Sequence, residues 1–172
     1  AMIFVGEQYQ YDQTVKVLHQ TNVLKKVITV DPEINLNGID TSMAFGDFLK
    51  YGDGDEQDAE LERRQNELSQ DDLATLIYTS GTSGEPKGVM IMQYNYTHQM
   101  RIHEKVMPCC DETRTSMMFL PASHIFERAW DYLCMYRGAM IYVNKNPKEI
   151  LTSIKETRPN MMCAVPRFWE KV

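Results

Sequence analysis

Basic residues are the first shortage: 18 Lys and Arg stand against 24 Asp and Glu, leaving a net charge of −6. No basic stripe is present to neutralise a phosphate backbone, which argues against nucleic acid as a partner. Long apolar runs are also missing, since none approaches the roughly 18 residues of a membrane span. The N-terminus has no basic region followed by an apolar one, so no signal peptide is expected, and Ala1 before Met2 reads as a cloning remnant. The four cysteines, Cys109, Cys110, Cys134 and Cys163, make neither a CxxC pair nor a disulfide framework. Reduced thiols and a cytoplasmic location are the expectation. His98 and His103 are five residues apart, not the four that would stack two ligands on one helix face, so a side-chain metal site is not expected.

What is there is ordinary in bulk: 172 residues, 43% hydrophobic and 24% charged. That length suits one domain with a real core. One stretch is not ordinary. Tyr78-Thr79-Ser80-Gly81-Thr82-Ser83-Gly84-Glu85-Pro86-Lys87-Gly88-Val89 joins two apolar runs and packs three glycines, four Ser/Thr hydroxyls and one lysine together. Glycines let backbone close on a ligand. Freed N–H groups, hydroxyls and an ammonium then converge on an anion such as a polyphosphate. The stretch is not a G-x-x-x-x-G-K-[ST] loop, because from Gly81 the second glycine is replaced by Pro86 and the final hydroxyl by Gly88. A bland Gly/Ser turn in a β-hairpin is the competing interpretation, but such turns usually need two to five residues rather than ten.

Periodicity predicts an α/β chain with parallel sheets flanked by helices. A strand at 2–5, a helix at 8–20 with Tyr11, Val15 and Leu18 on one face, and a strand at 23–30 suggest a parallel βαβ unit. A short helix is expected within 43–51, around Phe45, Phe48 and Leu49. Residues 53–70 read as a solvated helix or linker. Strands at 73–78 and 88–92 flank the loop, and a helix over 94–107 follows. The pattern then runs strand 116–120, helix 123–137, strand 139–143, helix 147–157, strand 160–165, with Asn146 as N-cap and Pro147 in the first turn.

The 123–137 helix carries a second signal. Phe126, Ala129, Trp130, Leu133 and Cys134 form its apolar stripe, and His124, Glu127, Arg128 and Asp131 line another face. Arg128 and Asp131 are expected to form a structural ion pair, and Trp130 to pack in the core. His124 falls in the first helical turn after a strand end, where outward N–H groups favour an anion and where open α/β sheets bind ligands. The strand methionines are ordinary core fillers that would also suit a flexible apolar tunnel.

The Tyr78–Val89 stretch resembles the phosphate-loop signature of the AMP-forming, adenylate-forming enzymes. Leu120-Pro121-Ala122-Ser123-His124-Ile125-Phe126-Glu127-Arg128 and Ala164-Val165-Pro166-Arg167 resemble segments of their long-chain fatty acyl-CoA synthetase branch. The likeness spans essentially the whole chain and is weakest over 31–70. It implies a partial copy of a two-subdomain fold, with 1–95 from the later part of one α/β subdomain and 113–172 from the opening of the other. It also implies the reaction: a fatty acid and ATP give acyl-adenylate and pyrophosphate, and coenzyme A takes the acyl group.

On this resemblance Ser80, Gly81, Thr82, Ser83, Gly84 and Lys87 hold the β- and γ-phosphates, and Thr79, also counted as cofactor-binding, reaches Mg2+. Lys87 and His124 serve catalysis, His124 by orienting the carboxylate. The adenine-contacting segment with its Mg2+-binding glutamate, the ribose-binding aspartate, the hinge and a C-terminal lysine would lie outside these residues. The chain alone is therefore expected to be inactive and to self-associate, with no transmembrane segment and with peripheral membrane contact left open. Adenylation of an aryl or amino acid, and a non-catalytic fragment that binds polyphosphate weakly or not at all, are the alternatives.

Overall fold

The computed structural model describes residues 1–81 and 84–170. Two compact units divide the chain, Ala1–Glu67 and Leu68 onward.

In the first unit, β1 (Met2–Val5), α1 (Gln8–Leu18) and β2 (Lys26–Thr29) form the expected βαβ unit, with β1 and β2 parallel from Met2↔Lys26 to Val5↔Thr29. The helix stripe packs as its spacing requires: Tyr11 is fully buried with Val5, Val27 and Ile34, and Val15 and Leu18 lie against them. The Tyr11 hydroxyl donates to the Leu36 carbonyl at 2.7 Å and shares a hydrogen bond with the Ser42 hydroxyl at 3.0 Å. That satisfies the one polar atom this core residue brings in. A third parallel strand, β3 (Ser42–Ala44), runs beside β2 and leads straight into α2 (Phe45–Leu49). Only the helix was expected there, because three residues are too few to show an alternating pattern. The register of β2 makes them a strand. α3 (Asp58–Glu67) has no buried residue, and Arg63 and Arg64 both bind Glu60 on its surface. Exposed pairs of this kind add little stability.

In the second unit the glycine-rich connection is shorter than expected. β4 (Leu73–Ser80) and β5 (Pro86–Met92) pair antiparallel up to Ser80↔Pro86, so the glycine-rich stretch is the end of a β-hairpin. The strands extend into both flanks of the motif, and only residues 81–85 connect them. Five residues is within the usual hairpin range, so loop length does not argue against a hairpin. After α4 (Gln93–Val106), the expected β-α-β-α-β run is present: β6 (Thr115–Met118), α5 (Ile125–Tyr136), β7 (Met140–Val143), α6 (Ile150–Thr157) and β8 (Met161–Met162). The sheet order is β7-β6-β8, all parallel. Asn146 caps the turn before α6, its side chain accepting from the Lys148 N–H. A short α7 (Pro166–Trp169) follows β8.

Trp130 packs against the core of Cys110, Leu133, Cys134 and Ala139, and its ring N–H donates to the buried Ser116 hydroxyl at 2.8 Å. β6 stops two residues short of expectation. The N–H groups of Phe119 and Leu120 turn away from the sheet and donate to the Glu127 carboxylate at 2.8 and 3.1 Å. No helix among the described residues is long and apolar enough to cross a membrane.

Candidate functional site

The hairpin sets Thr79 directly opposite Lys87, so both side chains rise from the same face. Lys87 lays its stem along the turn: its Cε is 3.4 Å from where a Cβ on Gly81 would sit. The same Cβ would clash with the Glu85 carbonyl, so residue 81 has to be glycine for the loop to close. Gly84 has φ +86, a left-handed conformation that other residues adopt only at a cost. Its N–H donates to the Gly81 carbonyl at 3.0 Å and draws the turn shut. Thr79, Ser80 and Lys87 are exposed, their donors open to solvent. Thr82 and Ser83 lie outside the described residues. Among the rest, the structure brings Thr79, Ser80, Gly81, Gly84 and Lys87 together at one end of the hairpin.

His124 occupies the N-cap position of α5 and is exposed. Its N–H donates to the Pro121 carbonyl at 2.9 Å, and its own carbonyl accepts from the Arg128 N–H at 3.2 Å. The imidazole makes no capping hydrogen bond, so capping does not account for it. No hydrogen bond among the described residues links it directly to the hairpin loop.

The other charged residues of α5 depart from expectation. Arg128 does not pair with Asp131. Its Nε donates to the Ala122 carbonyl at 2.9 Å and its Nη1 to the Thr75 hydroxyl at 3.0 Å. Glu127 and Asp131 are buried with Leu133 and Cys134, whereas Phe126 of the expected stripe is 49% exposed. The helix thus faces the core with two carboxylates, because one of them has backbone donors waiting. Burial raises the Glu127 carboxyl above its usual range, and the two backbone N–H groups pull the other way. Burial, with the neighbouring Glu127 charge, pushes Asp131 up to about 6. Burial likewise pushes the Cys134 and Cys163 thiols up to about 12, so neither is a ready nucleophile. Thr75, Glu127 and Arg128 are the residues whose place in the site was not anticipated. Only the adjacency of Glu127 and Arg128 to His124 in the sequence marks them.

The family model described as "AMP-binding enzyme" matches residues 2–172. The chain belongs to the AMP-binding enzyme family. It is 34% identical over 137 residues to long chain acyl-CoA synthetase 3 of Arabidopsis thaliana, covering 77% of this chain and 20% of that protein. It is 33% identical over 115 residues to the long-chain-fatty-acid–CoA ligase FadD15 of Mycobacterium tuberculosis, covering 66% of this chain and 19% of that protein. This AMP-binding chain therefore spans about a fifth of the length of the curated relatives it matches. In fold it resembles the crystal structure of a putative long-chain-fatty-acid CoA ligase from Rhodopseudomonas palustris. The TM-score is 0.70 at 17% identity, covering 94% of this chain and 37% of that one. An ATP-bound RpMatB–BxBclM chimera is similar at TM-score 0.61 and 19% identity, covering 99% and 30%. Two parallel sheets with flanking helices, and an antiparallel hairpin, are thus the fold of this part of an AMP-binding enzyme.

Proposed function

We propose that this chain carries the phosphate-binding hairpin and the carboxylate-orienting histidine of an AMP-forming long-chain fatty acid–CoA ligase. The observation that carries the proposal is the closed turn at Gly81, with Thr79, Ser80 and Lys87 gathered beside it in a member of the AMP-binding family. The curated relatives, named as long-chain acyl-CoA synthetases, support a fatty acid as the substrate.

The reaction assigned is attack of a fatty carboxylate oxygen on the α-phosphorus of ATP. The bond to the bridging oxygen breaks, pyrophosphate leaves, and the acyl-adenylate passes its acyl group to the thiol of coenzyme A. As pyrophosphate departs, charge grows on its oxygens. The proposal assigns Lys87 and the Ser80 hydroxyl as the donors that stabilise that charge. The proposal gives His124, at the α5 N-terminus, the task of holding the carboxylate in line, since positioning is most of the catalysis in such a displacement.

Among the described residues no three His, Cys, Asp or Glu side chains converge as a metal site. The Thr79 hydroxyl is a hard oxygen beside the phosphate donors, which fits a single protein ligand to Mg2+ carried by the nucleotide. When bound, that ion would offset phosphate charge.

The test is ATP–pyrophosphate exchange by the full-length protein with a long-chain fatty acid. His124→Ala is expected to slow acyl-adenylate formation by roughly tenfold or more while ATP affinity holds. Equal loss of both, or loss of neither, returns His124 to a structural role.

The chemistry is assigned to the full-length protein because the chain spans about a fifth of its relatives. The 172-residue chain alone is proposed to be inactive and to self-associate. Leu76, Tyr78 and Met90 are 44%, 69% and 67% exposed on one face of the hairpin, and the two-residue β8 is a sheet edge. Apolar faces and open edges recruit partners. Sedimentation of the purified chain should show species larger than a monomer, and a clean monomer at micromolar concentration would remove this part.

A further inference from the structure

The hairpin of β4 and β5 is a two-stranded sheet and does not join the β7-β6-β8 sheet. Pairs of strands are marginal alone, so side-chain contacts have to aim the phosphate turn. Among the described residues, one hydrogen bond joins the hairpin to α5: Arg128 Nη1 to the Thr75 hydroxyl at 3.0 Å. The other arm of the same guanidinium, Nε, donates to the Ala122 carbonyl at 2.9 Å in the connection that leads to His124. Its neighbour Glu127 holds that connection at its start, one carboxylate oxygen accepting from the N–H groups of Phe119 and Leu120 at 2.8 and 3.1 Å. Residues 119–124 are therefore gripped at three points by two consecutive side chains of the first turn of α5.

We infer that Glu127 and Arg128 are positioning residues that fix His124 in register with the phosphate-binding turn. Thr75 makes the geometry specific. In the register Thr75↔Ile91, Ile77↔Val89, Thr79↔Lys87, these alternate residues of β4 share one face. The Arg128 anchor thus lies on the face that carries Thr79 and Lys87, about 13 Å further down the strand at the usual rise per residue. A rigid guanidinium fork bonding the hairpin with one arm and the His124 connection with the other sets the spacing between the two. Lysine has no such fork and cannot reproduce both bonds in these directions. Glu127 complements this by ending β6 at Met118: its buried carboxylate takes the two N–H groups that would otherwise extend the strand. Both act through what they hold.

This inference rests on the assignment of His124 and the hairpin to acyl-adenylate formation, and the test separates the two. In the full-length protein, Thr75→Val removes the hairpin anchor with almost no change of shape. It is expected to lower kcat for ATP–pyrophosphate exchange on the order of tenfold, with KM for ATP unchanged within about twofold and the thermal midpoint preserved. Adding Thr75→Val to Arg128→Met should cost nothing beyond Arg128→Met alone, since Arg128→Met already breaks the bond that Thr75→Val removes. Glu127→Gln keeps an oxygen acceptor and should retain most of the activity that Glu127→Leu loses. Unchanged kcat in Thr75→Val, alongside an impaired His124→Ala, overturns the positioning role and leaves the site assignment standing. Additive losses in the double variant overturn it too. A silent His124→Ala overturns the site assignment itself, and the positioning role with it.

Discussion

Lys87→Ala in the full-length protein should lower ATP–pyrophosphate exchange by at least about tenfold without unfolding it. A hydrogen bond to a charged group is worth about 1.5–3 kcal/mol, which converts to roughly one to two decades in rate when the contact strengthens in the transition state. The structure explains why the fold should survive. Lys87 is exposed on a strand with only one partner, and no hydrogen bond or ion pair of its side chain appears among the described residues. Substitutions at such positions usually cost little stability. Lys87 lies beside Gly81 and opposite Thr79, so on the proposed assignment the lost charge falls where pyrophosphate would depart rather than at the reacting carboxylate. Lys87→Ala should therefore weaken inhibition by free pyrophosphate as well, whereas His124→Ala should not. Exchange at the parent rate in Lys87→Ala would end the phosphate assignment.

A second large effect is expected from Asp131→Asn, this time on stability. Asp131 is buried, one of its carboxylate oxygens has no hydrogen-bond partner, and its carboxyl is pushed up to about 6 by burial and by the Glu127 charge. The direction of the pH dependence follows from linkage. With a pKa of about 6 in the folded state against 3.8 ordinarily, the folded chain binds the proton more tightly. Stability must then fall as pH rises through that window and stay low above it. Asparagine keeps the shape and removes the stranded charge. On the 172-residue chain the variant should gain about 3 kcal/mol at pH 7, and a thermal midpoint higher by roughly 8 °C. The gain should shrink to nothing below about pH 4, where both chains are neutral at this position. Thermal scans at several pH values check it, and a gain that does not vary with pH would show that the Asp131 charge is not responsible.

Asp131 also marks how far local pattern carries. The α5 helix itself was legible, since Trp130, Leu133 and Cys134 recur at helical spacing and do reach the core. Which way it faces was not. Counting only apolar residues turns Phe126 inward and Glu127 outward, and the structure has them reversed. The reversal depends on two backbone N–H groups at Phe119 and Leu120, whose availability no side-chain pattern records. In the same way the Arg128–Asp131 spacing fits an ion pair on a helix, yet Arg128 finds the carbonyl of Ala122 and the hydroxyl of Thr75 instead.

The sequence by itself determined the local order of elements and the make-up of the turn. β1-α1-β2 and the β6-to-β8 run follow from alternation and from 3.6-residue spacing, both properties of neighbouring residues. Gly81, Gly84 and Lys87 stood out by composition as a glycine-rich turn with one lysine, and the structure gathers them at one end of the hairpin. Tertiary structure alone decided that β4 and β5 form a hairpin, that Ser42–Ala44 becomes a strand, and that α5 is tied to Thr75. The physical reason is common to all three. Strand pairing and the choice of hydrogen-bond partner depend on groups that meet only after folding. The bond between Arg128 and Thr75 joins residues 53 positions apart, a separation at which no periodicity in the chain connects them.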